Sequence, residues 1–342
     1  MEIAMSGRIG NLLGLLAILL LLAMLSACGS ASDDDDTSDD DDEDDDDDVA
    51  DDDDDSDDDD DDDDDDEPFP ACDEYGTPSV AGSVQSEDLH EISGLAISAR
   101  NPGVLWAHND SGDGAHIYAM TAAGKHLGVL TLEGAGSVDW EDMAIGPCGD
   151  EQCLYVADIG DNGASRTDCT IYRVVEPEVD PLDPFDELEL DSWESFEFSY
   201  PDGPRDAESI AVHPDGTIYI VSKYPAGLAK LYRFPEPELD ESQTLEYLGE
   251  LDTGDGPNMT TAADIHTNGL RLLVRTYLKV IEWRIEPGMP FGLIVSEESA
   301  TRHELPVALE LQGEAIAYDP SDGSYMHVSE GSNPPLYRVS CQ

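Results

Sequence analysis

Positive charge is what this sequence has least of. Its 342 residues carry 15 Lys and Arg against 80 Asp and Glu, a formal charge of −65, which sets it against nucleic acids and other polyanions as partners. The short motifs of common enzymes are missing as well. There is no Gly-x-Ser-x-Gly, no His-Glu-x-x-His and no Walker loop, which removes the usual signatures of serine hydrolases, zincins and nucleotide-using enzymes. His and Cys never cluster at ligand spacing, a pattern that disfavours zinc. Sustained helical periodicity is lacking too, and no aromatic residue occurs before Phe69.

What is present falls into three unequal parts. An apolar run from Leu12 to Leu25 leads into Ser26-Ala27-Cys28-Gly29. Residues 33–67 then hold 28 Asp and 2 Glu with no Lys or Arg. Such a run repels itself and has nothing apolar to bury, so 28–67 is expected to be a disordered, extended spacer. At up to about 3.3 Å per residue, Ser32 to Glu67 could hold the next domain roughly 100 Å from the membrane. The body, 68–342, has 49 acidic against 14 basic side chains and every Trp, Tyr and Phe, enough for a substantial core.

Residues 1–27 resemble a bacterial lipoprotein signal peptide, with small residues ahead of one Cys at the end of a short apolar run. The resemblance implies cleavage before Cys28, acylation of that residue, and attachment to the membrane by lipid in the cell envelope, at the outer membrane. About fourteen apolar residues are few for a helix crossing roughly 30 Å of hydrocarbon.

The body repeats. One segment recurs as Ile117-Tyr118, Ile171-Tyr172-Arg173-Val174, Leu231-Tyr232-Arg233-Phe234, Glu282-Trp283-Arg284-Ile285 and Leu336-Tyr337-Arg338-Val339, with aromatics 54, 60, 51 and 54 residues apart. Ahead of each comes a second: Ser93-Gly-Leu-Ala-Ile97, Glu141-Asp-Met-Ala-Ile145, Glu208-Ser-Ile-Ala-Val212, Thr261-Ala-Ala-Asp-Ile265 and Glu314-Ala-Ile-Ala-Tyr318. Turns such as Asn101-Pro-Gly103 and Pro214-Asp-Gly216, each followed by a β-rich run, separate the two. Each unit therefore reads as strand, tight turn, strand, loop, strand and a weaker fourth strand. Four-stranded units at this spacing predict an all-β fold, a β-propeller of five blades. Six blades is the alternative, because the 67-residue step from Glu141 to Glu208 has room for extra strands.

The last unit has only three strands before Gln342, and Pro78–Gln85 is an unassigned strand-like segment. It is expected to complete the last blade and close the ring. Cys72 and Cys341 then meet at the closure as a disulfide of an oxidising compartment. Cys148 and Cys153 bracket a turn and are expected to bridge it, leaving Cys169 free; a Cys148–Cys169 pairing is the competitor.

Propeller topology also locates a site. The first strand of each blade lines the channel, so the inbound loop before it and the outbound loop after the second strand open on one face. On the inbound side lie Glu91, Asp139 with Glu141, Asp206 with Glu208, and Glu314. Outbound segments carry His108-Asn109-Asp110, Asp158, Asp161 with Asn162, Lys223 and Arg275. Crowded carboxylates require a counter-charge, and a hard cation taking carboxylate and Asn oxygens supplies it. Ca²⁺ is thus expected on Glu91, Asp139, Glu141, Asp158, Asp161, Asn162, Asp206, Glu208 and Glu314. His108 reads either as a general base or as a hydrogen-bonded filler of the channel. Asn109, Asp110, Lys223 and Arg275 are candidates for contacting a ligand, although Lys223 and Arg275 can equally neutralise acids around them. Trp106 and Trp140 are expected between blades, and the Tyr-Arg copies in blade packing and surface charge.

The strings Leu105-Trp-Ala-His-Asn-Asp-Ser-Gly112, Asp139-Trp-Glu-Asp-Met-Ala144, Tyr155-Val-Ala-Asp-Ile-Gly-Asp-Asn162 and Gln312-Gly-Glu-Ala-Ile-Ala317 resemble secreted and lipid-anchored bacterial β-propeller proteins of unestablished activity. More distantly, the Asp-x-Glu repeats are similar to SdiA-regulated and phytase-like (esterase-like) propellers. That likeness implies calcium at the channel mouth and ester or phosphoester hydrolysis, but the basic residues expected for a highly phosphorylated substrate are scarce. Two functions stand: a monomeric cation-binding platform for a small-molecule or protein ligand, and a calcium-dependent hydrolase of phosphate or carboxylic esters.

Overall fold

The computed structural model describes residues 72–223, 228–236, 241–254, 259–310 and 312–342. The signal-peptide span 1–27, Cys28, the spacer to residue 67 and residues 68–71 of the expected body lie outside the described residues.

Among the described residues, twenty-two strands build five sheets. β1 (Ser79–Ser83) is first in the chain and last in the ring. Blade 1 is β2 (Ile92–Ile97), β3 (Val104–Asn109), β4 (His116–Thr121) and β5 (His126–Leu132). Blade 2 is β6 (Trp140–Cys148), β7 (Glu151–Asp158), β8 (Cys169–Val175) and, after β9 (Glu187–Leu190), β10 (Glu194–Ser199). Blade 3 is β11 (Ala207–Val212), β12 (Ile218–Ser222), β13 (Leu228–Arg233) and, after β14 (Gln243–Thr244), β15 (Glu246–Asp252). Blade 4 is β16 (Thr260–Ile265), β17 (Arg271–Thr276), β18 (Val280–Ile285) and β19 (Ala300–Leu305). Blade 5 is β20 (Gly313–Tyr318), β21 (Tyr325–Ser329) and β22 (Pro335–Val339), and β1 completes it by pairing antiparallel with β22.

The fold is therefore the five-bladed propeller expected, closed by the N-terminal strand. The long step between Glu141 and Glu208 hides no sixth blade. It carries β9, which runs parallel along β5 at the outer edge of blade 1, and β14 does the same for β10 in blade 2. Both cover strand edges that would otherwise be free to pair with another chain.

Apolar residues collect in five clusters, one between each pair of neighbouring blades. Trp106 and Trp140 meet between blades 1 and 2, as expected. Inner strands β2, β11 and β20 are buried along their whole length, because each is covered by the blades on both sides. The first hairpin turns with Gly103, Gly149, Gly216, Gly269 and Gly323, all at positive φ, in all five blades, a conformation that costs other residues strain. In the third strands, Arg173 pairs with Glu194 and Arg338 with Asp319 and Asp322, consistent with a packing role. Cys72 is bonded to Cys341 and Cys148 to Cys153, while Cys169 is free and buried.

Candidate cation site at the channel mouth

The first residue of each inner-strand repeat is a β-bulge. Pairing of first with second strand slips by one between Ile92 and Gly94, Trp140 and Asp142, Ala207 and Ser209, Thr260 and Ala262, and Gly313 and Ala315. The skipped residues are Ser93, Glu141, Glu208, Thr261 and Glu314. A bulge leaves its extra residue out of the ladder and re-aims the side chain. Here it turns five equivalent side chains to one end of the channel. The two hydroxyls stitch the ring: Ser93 donates to the Glu141 carbonyl and Thr261 to the Gly313 carbonyl at 2.8 Å. The remaining three bring carboxylates, all buried.

Oxygens of Glu141, Asp206 and Glu208 all lie within 4.8 Å of one another, and so do oxygens of Asp110, Asp139 and Glu141. Glu141 belongs to both trios. The Glu314 carboxyl feels both Glu208 and Glu330. Burial raises the Asp139 carboxyl to about 6, with Asp110 adding to the shift. Burial first and Glu208 second raise Glu314 to about 9. Glu141 and Glu208 are pushed up for the same reason, Glu208 against the pull of Lys223, which pairs with it. Lys223 also stands 5.4 Å from the centre of the Tyr277 ring. Gly160 passes beneath this group: a Cβ there would stand 2.0 Å from Glu141 Oε1 and 2.4 Å from Asp139 Oδ2.

Several expected residues lie elsewhere. Asp158 Oδ1 and Oδ2 accept the Asp139 and Val138 amides, each at 3.0 Å, and the carboxylate pairs with Arg166 at 2.8 Å. It is a clamp on its blade's inbound loop rather than a member of the converging set. Asn109, at the equivalent place in blade 1, does the same through Oδ1, which accepts the His90 and Glu91 amides at 3.1 and 3.0 Å. Asp161 caps a turn, its Oδ2 taking the Arg166 amide at 2.7 Å while its own amide donates to Asp206 Oδ1 at 2.8 Å. Asn162 and Glu91 are exposed. Asp110, expected to face a ligand, instead places its carboxylate with Asp139 and Glu141.

His108 and Arg275 are sealed. Neither has exposed surface. His108 sits edge-on to Trp140, with Nδ1 2.8 Å from the Asn109 carbonyl, and burial lowers its pKa. No solute reaches the ring, so the filler reading fits it and the general-base reading does not. Arg275 donates to Glu310 at 2.7 Å; the same oxygen holds His327 Nδ1 at 2.7 Å. A Cβ on Gly313 would fall 1.7 Å from Arg275 Nη2, so this guanidinium ties blade 4 to blade 5 and offers nothing to a ligand.

Sequence reasoning missed two axial acids. Asp142 Oδ2 accepts the Ile210 and Ala263 amides at 3.0 and 3.1 Å, and Oδ1 the Met143 amide at 2.9 Å. Its carboxylate thus stands among the inner strands of blades 2, 3 and 4. Asp264 bonds the amides of Tyr318 and Ile265, both at 2.8 Å. The signal was there: the matching positions hold only Gly, Ser or Ala in the other copies. Also missed was a cavity of about 480 Å³ beside the mouth, where Asp113 takes hydrogen bonds from Tyr118 and Asn109, both at 2.8 Å.

No protein-family model matches the chain, and no curated protein matches it. Among solved structures, it is similar to the PQQ-bound aldose sugar dehydrogenase of Streptomyces coelicolor at 12% identity and TM-score 0.42, over 80% of this chain and 99% of that one. The apo form of the soluble aldose sugar dehydrogenase of Escherichia coli is similar at 12% identity and TM-score 0.45, over 78% and 99%. Likeness of this degree assigns neither substrate nor cofactor.

Proposed function

We propose that the propeller is a binding platform that carries a divalent cation, Ca²⁺, at the channel mouth, and that it is held at the cell envelope by a lipid on Cys28. The observation that carries the cation is the convergence of oxygens from three blades on Glu141. Ligands at about 2.3–2.6 Å from one Ca²⁺ stand no more than about 5 Å apart, and both trios meet that limit at 4.8 Å. The donors are hard carboxylates, and burial first, then neighbouring acids, raise Asp139 and Glu314, a shift that a bound cation would relieve. Glu141 with Asp206 and Glu208, or Glu141 with Asp139 and Asp110, would hold the ion, with Glu314 at the margin. Bound there, Ca²⁺ supplies positive charge and open coordination positions for an oxygen-bearing ligand.

Hydrolysis is the weaker reading. It loses His108 as base and Arg275 as anion partner, both enclosed, and keeps only the cation and Lys223. The leader supports the lipid anchor and the envelope location through its apolar run, 12–25, and the Ser26-Ala27-Cys28 that follows.

Calcium titration of the chelator-stripped chain, compared with Glu141→Gln, tests the cation. The acidic spacer contributes equally to both, so the difference belongs to the mouth. We expect affinity at least tenfold weaker in Glu141→Gln, and a rise in Tm with Ca²⁺ that the variant lacks. Identical titrations would remove the site.

A further inference from the structure

The opposite end of the channel is built from the last residue of the same repeat. Ile97, Ile145, Val212, Ile265 and Tyr318 occupy one position in five successive blades, and together they wall an axial cavity of about 250 Å³. Its size lies below the roughly 300 Å³ at which pockets for drug-sized ligands begin. Among the described residues no Lys, Arg or His lines it, and Asp264 is the acid on its wall.

Asp264 is an exception to the repeat. Positions 2 and 4 of the motif share the face turned to the axis, and the fourth position is Ala96, Ala144, Ala211 and Ala317 in the other blades. Small residues suit the crowding of five inner strands, so a carboxylate there needs a reason. Each of its oxygens accepts one backbone N–H, from Tyr318 and from Ile265. A carboxylate has about four acceptor sites, so about two remain. Among the described residues it has no ion-pair partner, and burial raises its pKa to about 7 with no cation opposing the shift. Asp142, the other acid on the axis, is fully buried and satisfied by three amides.

We infer that this cup binds a small organic amine, its ammonium donating to Asp264 and its apolar body enclosed by the ring of Ile97, Ile145, Val212, Ile265 and Tyr318. Charge selects the class. An uncompensated carboxylate at an apolar wall favours a cation over an anion, and the apolar ring favours an organic cation over a hydrated metal ion. The assignment is independent of the cation proposed at the other mouth.

Benzylammonium is a suitable probe, with benzyl alcohol as its uncharged counterpart. Calorimetric titration of the full chain at about 0.5 M NaCl, where loose attraction to surface acids is screened, should show one saturable site for the amine and at least tenfold weaker binding of the alcohol. Saturating Ca²⁺ should not displace the amine. Asp264→Ala should weaken amine binding at least tenfold and leave the alcohol unchanged. Ala99→Trp, at an exposed position on the cavity wall, should abolish both, and it decides the matter if Asp264→Ala does not fold. Absence of saturable binding, equal affinity for amine and alcohol, displacement by Ca²⁺, or binding that survives Ala99→Trp would each overturn the assignment.

Discussion

Single side chains differ here chiefly in how their charge is met. Lys223 meets Glu208, Arg166 meets Asp158, and Arg275 meets Glu310, whereas among the described residues Asp264 meets two backbone amides and no cation. Burial lifts its carboxyl to about 7 from an ordinary 3.8, so the folded state holds that proton more tightly than the unfolded chain. Stability from this group is complete below about pH 4 and is lost as pH rises through about 7. Asp264→Ala should therefore lose less stability than the parent between pH 5 and pH 8, read as the shift in urea midpoint. An equal or larger loss in the variant would contradict the assignment. His108 and Arg275 show where residue-level reading of a sequence stops. Their positions in the strands were legible, but whether a strand residue faces solvent or a neighbouring blade depends on tertiary packing that one chain does not spell out.

At the level of strands and loops most of the architecture was legible, because each blade repeats the same solution. Five copies of one pentapeptide located the inner strands, and the turns at Gly103, Gly216, Gly269 and Gly323, with the Cys148 and Cys153 bracket in blade 2, located the hairpins. The bulge explains why the Glu-containing position stood out: Glu141, Glu208 and Glu314 are spared ladder pairing and can be polar where their neighbours cannot. Outbound loops were harder to read. Asp158 and Asn109 have the composition of ligands yet act as clamps, since an oxygen acceptor beside an inbound loop meets free backbone amides first. β9 and β14 were also hidden, being short strands that pair in parallel far from their sequence neighbours.

For the molecule as a whole, closure is the main structural requirement. The ring is sealed twice at the same place, by β1 against β22 and by Cys72–Cys341, which spans 269 residues. Cys148–Cys153 spans only 5. Loop-closure entropy grows with the length enclosed, so in the chain-entropy picture the two bonds differ by about 3.5 kcal/mol. Cys341→Ser should thus lower stability toward urea more than Cys148→Ser; the reverse order would mean that the terminal bond adds little beyond the pairing of β1.

The terminal bond also bears on mechanics. Any tension arriving through the segment before Cys72 passes directly into Cys341, bypassing the hydrogen bonds between β1 and β22. Pulled from its N-terminal side by optical tweezers against an anchor within blade 3, the oxidised protein should resist unzipping of its seam. After reduction the seam should yield first, at lower force.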